Sequence, residues 1–493
     1  MAGRIAFASA IGPREGLWRE PHRRTTLPAM FKSLGVVAVL MNSTFAVLLA
    51  AQTASGPTNN PSGLRIATFD IDATPPIGTM MAYDPVTNRW DLGLRARGIV
   101  LLGAGEPIVL CALDWIGLAN EGYDSFRSAL ARGANTSPRR TAIHTLHQHD
   151  APDCDFSAER ILRTAGVGAR QYEGQFQRLV LTNLEAAVRE SLSRSQPVRE
   201  LGLGAAKVER VASNRRIIGG DGKVRATRWS ATLDPLTRAE PEGLIDATVS
   251  LVSFWNGEQP VAVLSYYATH PQSYYRTGIA NPDFPGVARF LRQLALPGAL
   301  HVHFTGAGGN ITAGKYNDGA PTNRLALAER LADGMRRAWE QTVRQPISSS
   351  AVDWSVASVA LPPTKHLALE ELAAQLKTDP EKFAAEGKAS RLAWLQRCQA
   401  GHRVDVTCLN LGPASILHLP GEPFIEYQLA AKAARRDRFI AVAGYGDYAP
   451  WYIGTAAAYE QGGYETSPTA SNVAPEVEKV LLDAMRRLLG VAK

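Results

Sequence analysis

Apolar and polar positions begin to alternate at Leu64, and Arg65-Ile66-Ala67-Thr68-Phe69-Asp70-Ile71-Asp72 reads as a strand that runs out before Pro75-Pro76. Two apolar, β-branched runs, Arg95 to Leu102 and Pro107 to Asp114, are joined by Gly103-Ala104-Gly105-Glu106 and predict a hairpin. A second hairpin is predicted from the block 246–255 and from Val261 to Ala268, across Asn256-Gly257-Glu258-Gln259-Pro260. Two further strands, 405–411 and 414–419, straddle Gly412-Pro413. Helical spacing predicts helices near 121–132, 172–195, 284–295, 323–344, 367–399 in broken form, and 424–436. Gly444 to Ser471 reads as irregular, with a helix from there to the end, and no internal repeat is visible in 64–493. Hairpins mixed with helices predict a mixed α/β fold: one large domain over 64–493 with mixed and antiparallel sheets flanked by helices, not a doubly wound parallel sheet.

Composition narrows the class. With 45% hydrophobic and 20% charged residues, the 493-residue chain can bury a sizeable core. The net charge of +7 is scattered, with no stripe of Lys and Arg interleaved with aromatics, which argues against nucleic acid as a partner. A lysine and an apolar stretch after Met30, ending in small residues near Ala50 to Ser55, match a secretory signal peptide. Residues 1–29 are unlike a signal n-region, so translation is expected to start at Met30, with 56–63 as a linker and the mature protein secreted or periplasmic. The four cysteines have no C-x-x-C spacing; Cys398 and Cys408 are candidates for a disulfide, Cys111 for a buried thiol, and Cys154 for a soft metal ligand.

The densest chemistry lies between Ile143 and Asp153, where His144, His147, His149, Asp150 and Asp153 fall within eleven residues. Arg140 to Ile143 reads as a strand end, so His147 and His149, two apart, are expected on one face, where two imidazoles can converge on a metal. The bland alternative is a polar loop with ordinary hydrogen bonds. His270 ends the second hairpin before Pro271, Glu422 follows an apolar strand, and Tyr452 stands in an aromatic-rich loop. Taken singly, these read as a satisfied histidine, a helix N-terminal acid and a packing ring. Gly306-Ala307-Gly308-Gly309-Asn310 is a weak candidate for an anion cradle, and Arg215 reads as a surface loop arginine.

Together these segments resemble the catalytic domain of the neutral ceramidases over residues 66 to 466. The resemblance is carried by His147-Gln148-His149-Asp150-Ala151-Pro152, by Ala268-Thr269-His270-Pro271-Gln272-Ser273 with Asn281-Pro282-Asp283-Phe284-Pro285-Gly286, and by Leu419-Pro420-Gly421-Glu422. It also includes Tyr452-Ile453-Gly454-Thr455 running on to Tyr464-Glu465, and the opening segment Ile71 to Tyr83. It implies a zinc-dependent amidohydrolase that cleaves an N-acyl substrate, a sphingolipid such as ceramide included, with transient membrane-surface contact. One Zn2+ would be held by His147, His270, Glu422 and Tyr452, with His149 and Arg215 catalytic. The family's catalytic serine segment corresponds to Gly308 to Asp318, where Thr312 is the nearest hydroxyl and the third candidate catalytic residue, and its C-terminal β-sandwich domain is expected to be missing. An ester or phosphoester hydrolase, with Asp150 and Asp153 near a second metal, and a non-catalytic binding protein are the alternatives.

Overall fold

Residues 63–491, except Asp91, are described in a computed structural model of the chain; the leader and start-site expectations for 1–62 lie outside them. Both predicted hairpins form, Arg95–Leu102 with Ile108–Leu113 and Thr248–Asn256 with Gln259–Tyr267, and so does Val404–Leu411 with Ala414–His418. The long amphipathic helix runs from Gln175 to Leu192, and the broken stretch resolves into Leu369–Thr378, Pro380–Ala385 and Lys388–Gln399. The fold class is mixed α/β, as the pattern predicted.

A threefold repeat of topology, which the sequence does not show, underlies this arrangement. Each unit is three antiparallel strands, a helix, and a fourth strand parallel to the third. The first unit uses Arg65–Asp72, Arg95–Leu102, Ile108–Leu113, helix Asn120–Ala134 and Thr141–Thr145. The second uses Glu200–Lys207, Thr248–Asn256, Gln259–Tyr267, helix Asp283–Ala295 and Leu300–Thr305. The third uses Val352–Val359, Val404–Leu411, Ala414–His418, helix Ile425–Ala434 and Phe439–Ala443. The first unit has a much shorter connection between its first and second strands than the other two, so no fixed period survives in the sequence.

The three parallel pairs end beside one another. Thr145 donates its amide to the Tyr445 carbonyl, Gly444 its amide to the Thr305 carbonyl, and Thr305 its hydroxyl to the Leu146 carbonyl, each at 2.9 Å. The loops at the carboxyl ends of these strands therefore share one region, the position where α/β sheets ordinarily place ligands. A core of Leu110, Ala142, Leu264, Phe304, Ile416 and Ala441, drawn from all three sheets, lies beneath it. The first and second units are also tied by an ion pair: Arg289 donates to both carboxylate oxygens of Asp114 at 2.6 and 2.7 Å, with side chains 3% and 0% exposed.

Two expectations fail. Cys398 and Cys408 are free thiols: one lies in helix Lys388–Gln399, the other is buried in strand Val404–Leu411, so the proposed disulfide is absent. Cys154, also free, pairs through its strand with Gly117–Leu118 and is not grouped with the metal-competent histidines. Among the described residues no helix is long and apolar enough to cross a membrane.

Two predictions concern stability. Arg289→Leu leaves Asp114 charged and buried, and is expected to cost about 3–5 kcal/mol in urea denaturation, mostly recovered by adding Asp114→Asn. Burial lowers His144 to about 4 and His301 and His303 to about 3, and pushes His418 well down. Unfolded histidine takes a proton near pH ~6.5, which these folded sites refuse, so the unfolded state binds more protons below that value. Stability is expected to be level above it and to fall steeply as pH drops towards 4 in equilibrium denaturation.

Candidate metal centre

His147 does not lie on a strand. The strand ends at Thr145, and His147 takes a left-handed backbone conformation, φ 63°, in the loop beyond it. The expectation that His147 and His149 share a strand face is therefore wrong, although they do meet. The turn is held by the His147 amide on the Trp115 carbonyl at 2.9 Å and by His147 Nδ1 on the Ile116 carbonyl at 2.8 Å. That second bond places a proton on Nδ1, so in the neutral ring Nε2 is a lone pair.

This lone pair faces a carboxylate. His147 Nε2 lies 3.2 Å from Glu422 Oε2, and His270 Nδ1 lies 3.7 Å from the same oxygen. His149 Nε2 is 3.0 Å from His270 Nε2, and ring nitrogens of His147, His149 and His270 all fall within 4.8 Å of one another. All four side chains are buried, yet His147 Nε2, His270 Nδ1, His149 Nδ1 and Glu422 Oε2 have no hydrogen-bond partner. An unsatisfied buried polar atom costs about 1–3 kcal/mol, so four in one place need a common cause. Burial, then the neighbouring His147, holds His149 and His270 well below the usual imidazole range. Neutral imidazoles and a carboxylate are donors suited to a divalent cation, and the buried histidine triad can bind one.

The remaining expected residues surround this group. Tyr452 pairs in parallel with Glu422 through its short strand, and its ring stacks on His270 at 6.3 Å between centroids. The Tyr452 hydroxyl accepts from Arg215 Nη1 at 3.0 Å. Arg215 is not on the surface: it is 3% exposed, and its Nε meets Glu465 Oε1 at 3.1 Å. Thr312 is buried on the short strand Ile311–Thr312, where its hydroxyl accepts from the Gly314 amide at 3.2 Å; among the described contacts it has none with the histidines. Asp150 is committed to the loop of residues 276–281, accepting from the Arg276 amide at 2.7 Å, the Thr277 hydroxyl at 2.8 Å and Asn281 Nδ2 at 3.1 Å.

Sequence reasoning missed Tyr445 and Tyr448, and gave Glu465, the end of a quoted segment, no role. Tyr448 donates to Glu422 Oε1 at 2.9 Å, which leaves Oε2 as the outward oxygen. The aromatic run after Gly444 was the available signal, but it reads equally well as packing. The glycine run serves sterics: a Cβ at Gly306, Gly308 or Gly309 would lie 2.6 Å from Gln428 Oε1, 2.9 Å from the Tyr445 hydroxyl or 2.3 Å from the Glu422 carbonyl.

On its open side the centre meets a cavity of about 410 Å³, lined by His149, Arg215, His270 and Tyr452 and rimmed by Tyr83, Trp229, Tyr275 and Tyr464. Tyr83 stacks on His149 with centroids 5.6 Å apart, and Tyr275 meets its edge at 5.4 Å. Polar groups at the floor and aromatic rings at the rim suit a substrate with one polar linkage and an apolar body.

Gly309→Ala should push the Glu422 backbone away from His147. A loss of bound metal by mass spectrometry, with stability lowered by about 1–3 kcal/mol, is the expected outcome.

No family model and no curated protein matches the chain. Among solved structures it is similar to one described as ceramidase complexed with C2, at a TM-score of 0.63 and 16% identity, covering 87% of this chain and 75% of that one. It is similar also to neutral ceramidase from Pseudomonas aeruginosa, at a TM-score of 0.62 and 16% identity with the same coverage. The segments that resembled this family in sequence meet at one buried centre, and the chain has the neutral-ceramidase fold.

Proposed function

We propose that the protein is a zinc-dependent amidohydrolase that cleaves a linear N-acyl bond, in a lipid such as ceramide or a related N-acyl compound. The observation that carries this reading is the pair of buried acceptors, His147 Nε2 and Glu422 Oε2, at 3.2 Å. His147, His270, Glu422 and Tyr452 would hold the ion. When bound, zinc supplies a Lewis acid that polarises a carbonyl and acidifies water.

The chain's own groups account for the rest. Arg215, fixed by Glu465 and facing the cavity, places a permanent positive charge where an amide oxygen gains negative charge. His149, held neutral by burial and lining the cavity, is the group that would carry a proton to the departing amine nitrogen. Water adds to the carbonyl carbon, the C–N bond breaks, and a carboxylate and an amine leave. The aromatic rim holds the apolar body of the substrate and excludes water from the floor. Export through a leader beginning at Met30 belongs to the same proposal, and amino-terminal sequencing of precursor and mature chains tests it.

The direct test is metal content together with a panel of N-acyl, ester and phosphoester substrates. About one zinc per chain and turnover confined to amides support the reading; phosphoester turnover or two metals contradict it. Glu422→Gln should lose metal and activity while staying folded. Thr312→Ala should keep zinc and lose less than about tenfold in kcat, because no step uses that hydroxyl; complete loss with zinc retained would favour a covalent route.

A further inference from the structure

The segment Gly444–Tyr452 brings three tyrosines to the centre, and two have their hydroxyls engaged: Tyr448 on Glu422 and Tyr452 with Arg215. The third, Tyr445, is fully buried, and its hydroxyl has no hydrogen-bond partner among the described residues. Its ring lies nearly parallel to the His147 ring, with centroids 4.4 Å apart and planes 17° apart. Its hydroxyl occupies the space a Cβ at Gly308 would need, beside Thr269. Tyr445 is not among the residues lining the cavity; its ring lies against His147 instead.

The backbone is bent to place it there. Tyr445 has φ 60°, a conformation costing a non-glycine residue about 1–2 kcal/mol, between two glycines that would adopt it freely. Its amide donates to the Gly421 carbonyl at 2.8 Å and its carbonyl accepts from Thr145 at 2.9 Å, which ties the ring to the Glu422 and His147 loops together. A phenylalanine would fill the same space without burying an unpaired hydroxyl. Strain and an unpaired hydroxyl at one residue need a return.

We propose that Tyr445 is a positioning residue of the metal centre, its hydroxyl hydrogen-bonding an oxygen of the occupied centre. The proposal rests on the metal-centre reading and goes beyond it, since Tyr445 stands in none of the segments that resembled the ceramidases. Hydrogen bonds to metal donors ordinarily change metal affinity by about 10–100-fold.

The test is Tyr445→Phe, which keeps the ring. The metal-free variant should be as stable as the metal-free wild type or more so, because an unpaired buried hydroxyl has been removed. Its zinc affinity, by competition with a chelator, should fall about 10–100-fold, and the visible spectrum of its cobalt-loaded form should change. KM should stay within about threefold while kcat falls, as expected for a group remote from the substrate. Wild-type zinc affinity and an unchanged cobalt spectrum would reduce Tyr445 to packing. A variant destabilised equally with and without metal would overturn the proposal in the same way. A wild-type protein that takes up no zinc or cobalt would instead overturn the metal-centre reading itself, before any variant is compared.

Discussion

Two buried acceptors 3.2 Å apart, His147 Nε2 and Glu422 Oε2, impose the constraint that the rest of the site answers to. The Ile116 carbonyl keeps the His147 proton on Nδ1, and Tyr448 occupies the other oxygen of Glu422. Neither group can turn away to find a donor. A shared cation removes the conflict, and it explains why His270 and His149 are buried close by with unpaired ring nitrogens. Unpaired buried atoms occur elsewhere in the fold, on His144, His301, His303 and His418 among others, but here four from three separate segments converge on one point, which marks function rather than packing.

The topology makes this meeting possible. No single element carries the centre. His147 follows the fourth strand of the first unit, His270 the third strand of the second, Glu422 the third strand of the third, and Tyr445, Tyr448 and Tyr452 the fourth strand of the third. Because the three parallel pairs are hydrogen-bonded to one another at their carboxyl ends, residues more than a hundred positions apart in the chain are fixed within a few ångströms. The glycines at 306, 308 and 309 permit that approach; the Asp114–Arg289 pair braces the loop behind His147 through the first two units.

Much of this was legible in the sequence where a single period dominates. The hairpins around Gly103–Glu106 and Asn256–Pro260, and the helix over Gln175–Leu192, follow directly from alternation and amphipathicity. Strand Leu300–Thr305 was hidden by His301 and His303, and Glu200–Lys207 by Gly202 and Gly204, the second of which lets helix Thr322–Glu340 approach. The site residues His147, His149, His270, Glu422 and Tyr452 were found by motif, but the local argument for the histidines was mistaken, since His147 reaches the centre through a left-handed turn. Arg215 looked like a surface residue because nothing near it in sequence reveals Glu465 or Tyr452, its partners in space. Tyr445 and Tyr448 carried no distinguishing signal at all: an aromatic loop looks the same whether it packs a core or braces a metal.

The measurement that bears most directly on this account is X-ray absorption at the zinc edge of the metal-loaded protein, wild type beside His147→Ala. A shell of nitrogen and oxygen donors, with imidazole scattering that weakens in the variant, is the predicted result. Sulfur in the shell, imidazole scattering indifferent to His147, or a folded protein that takes up no zinc would contradict it.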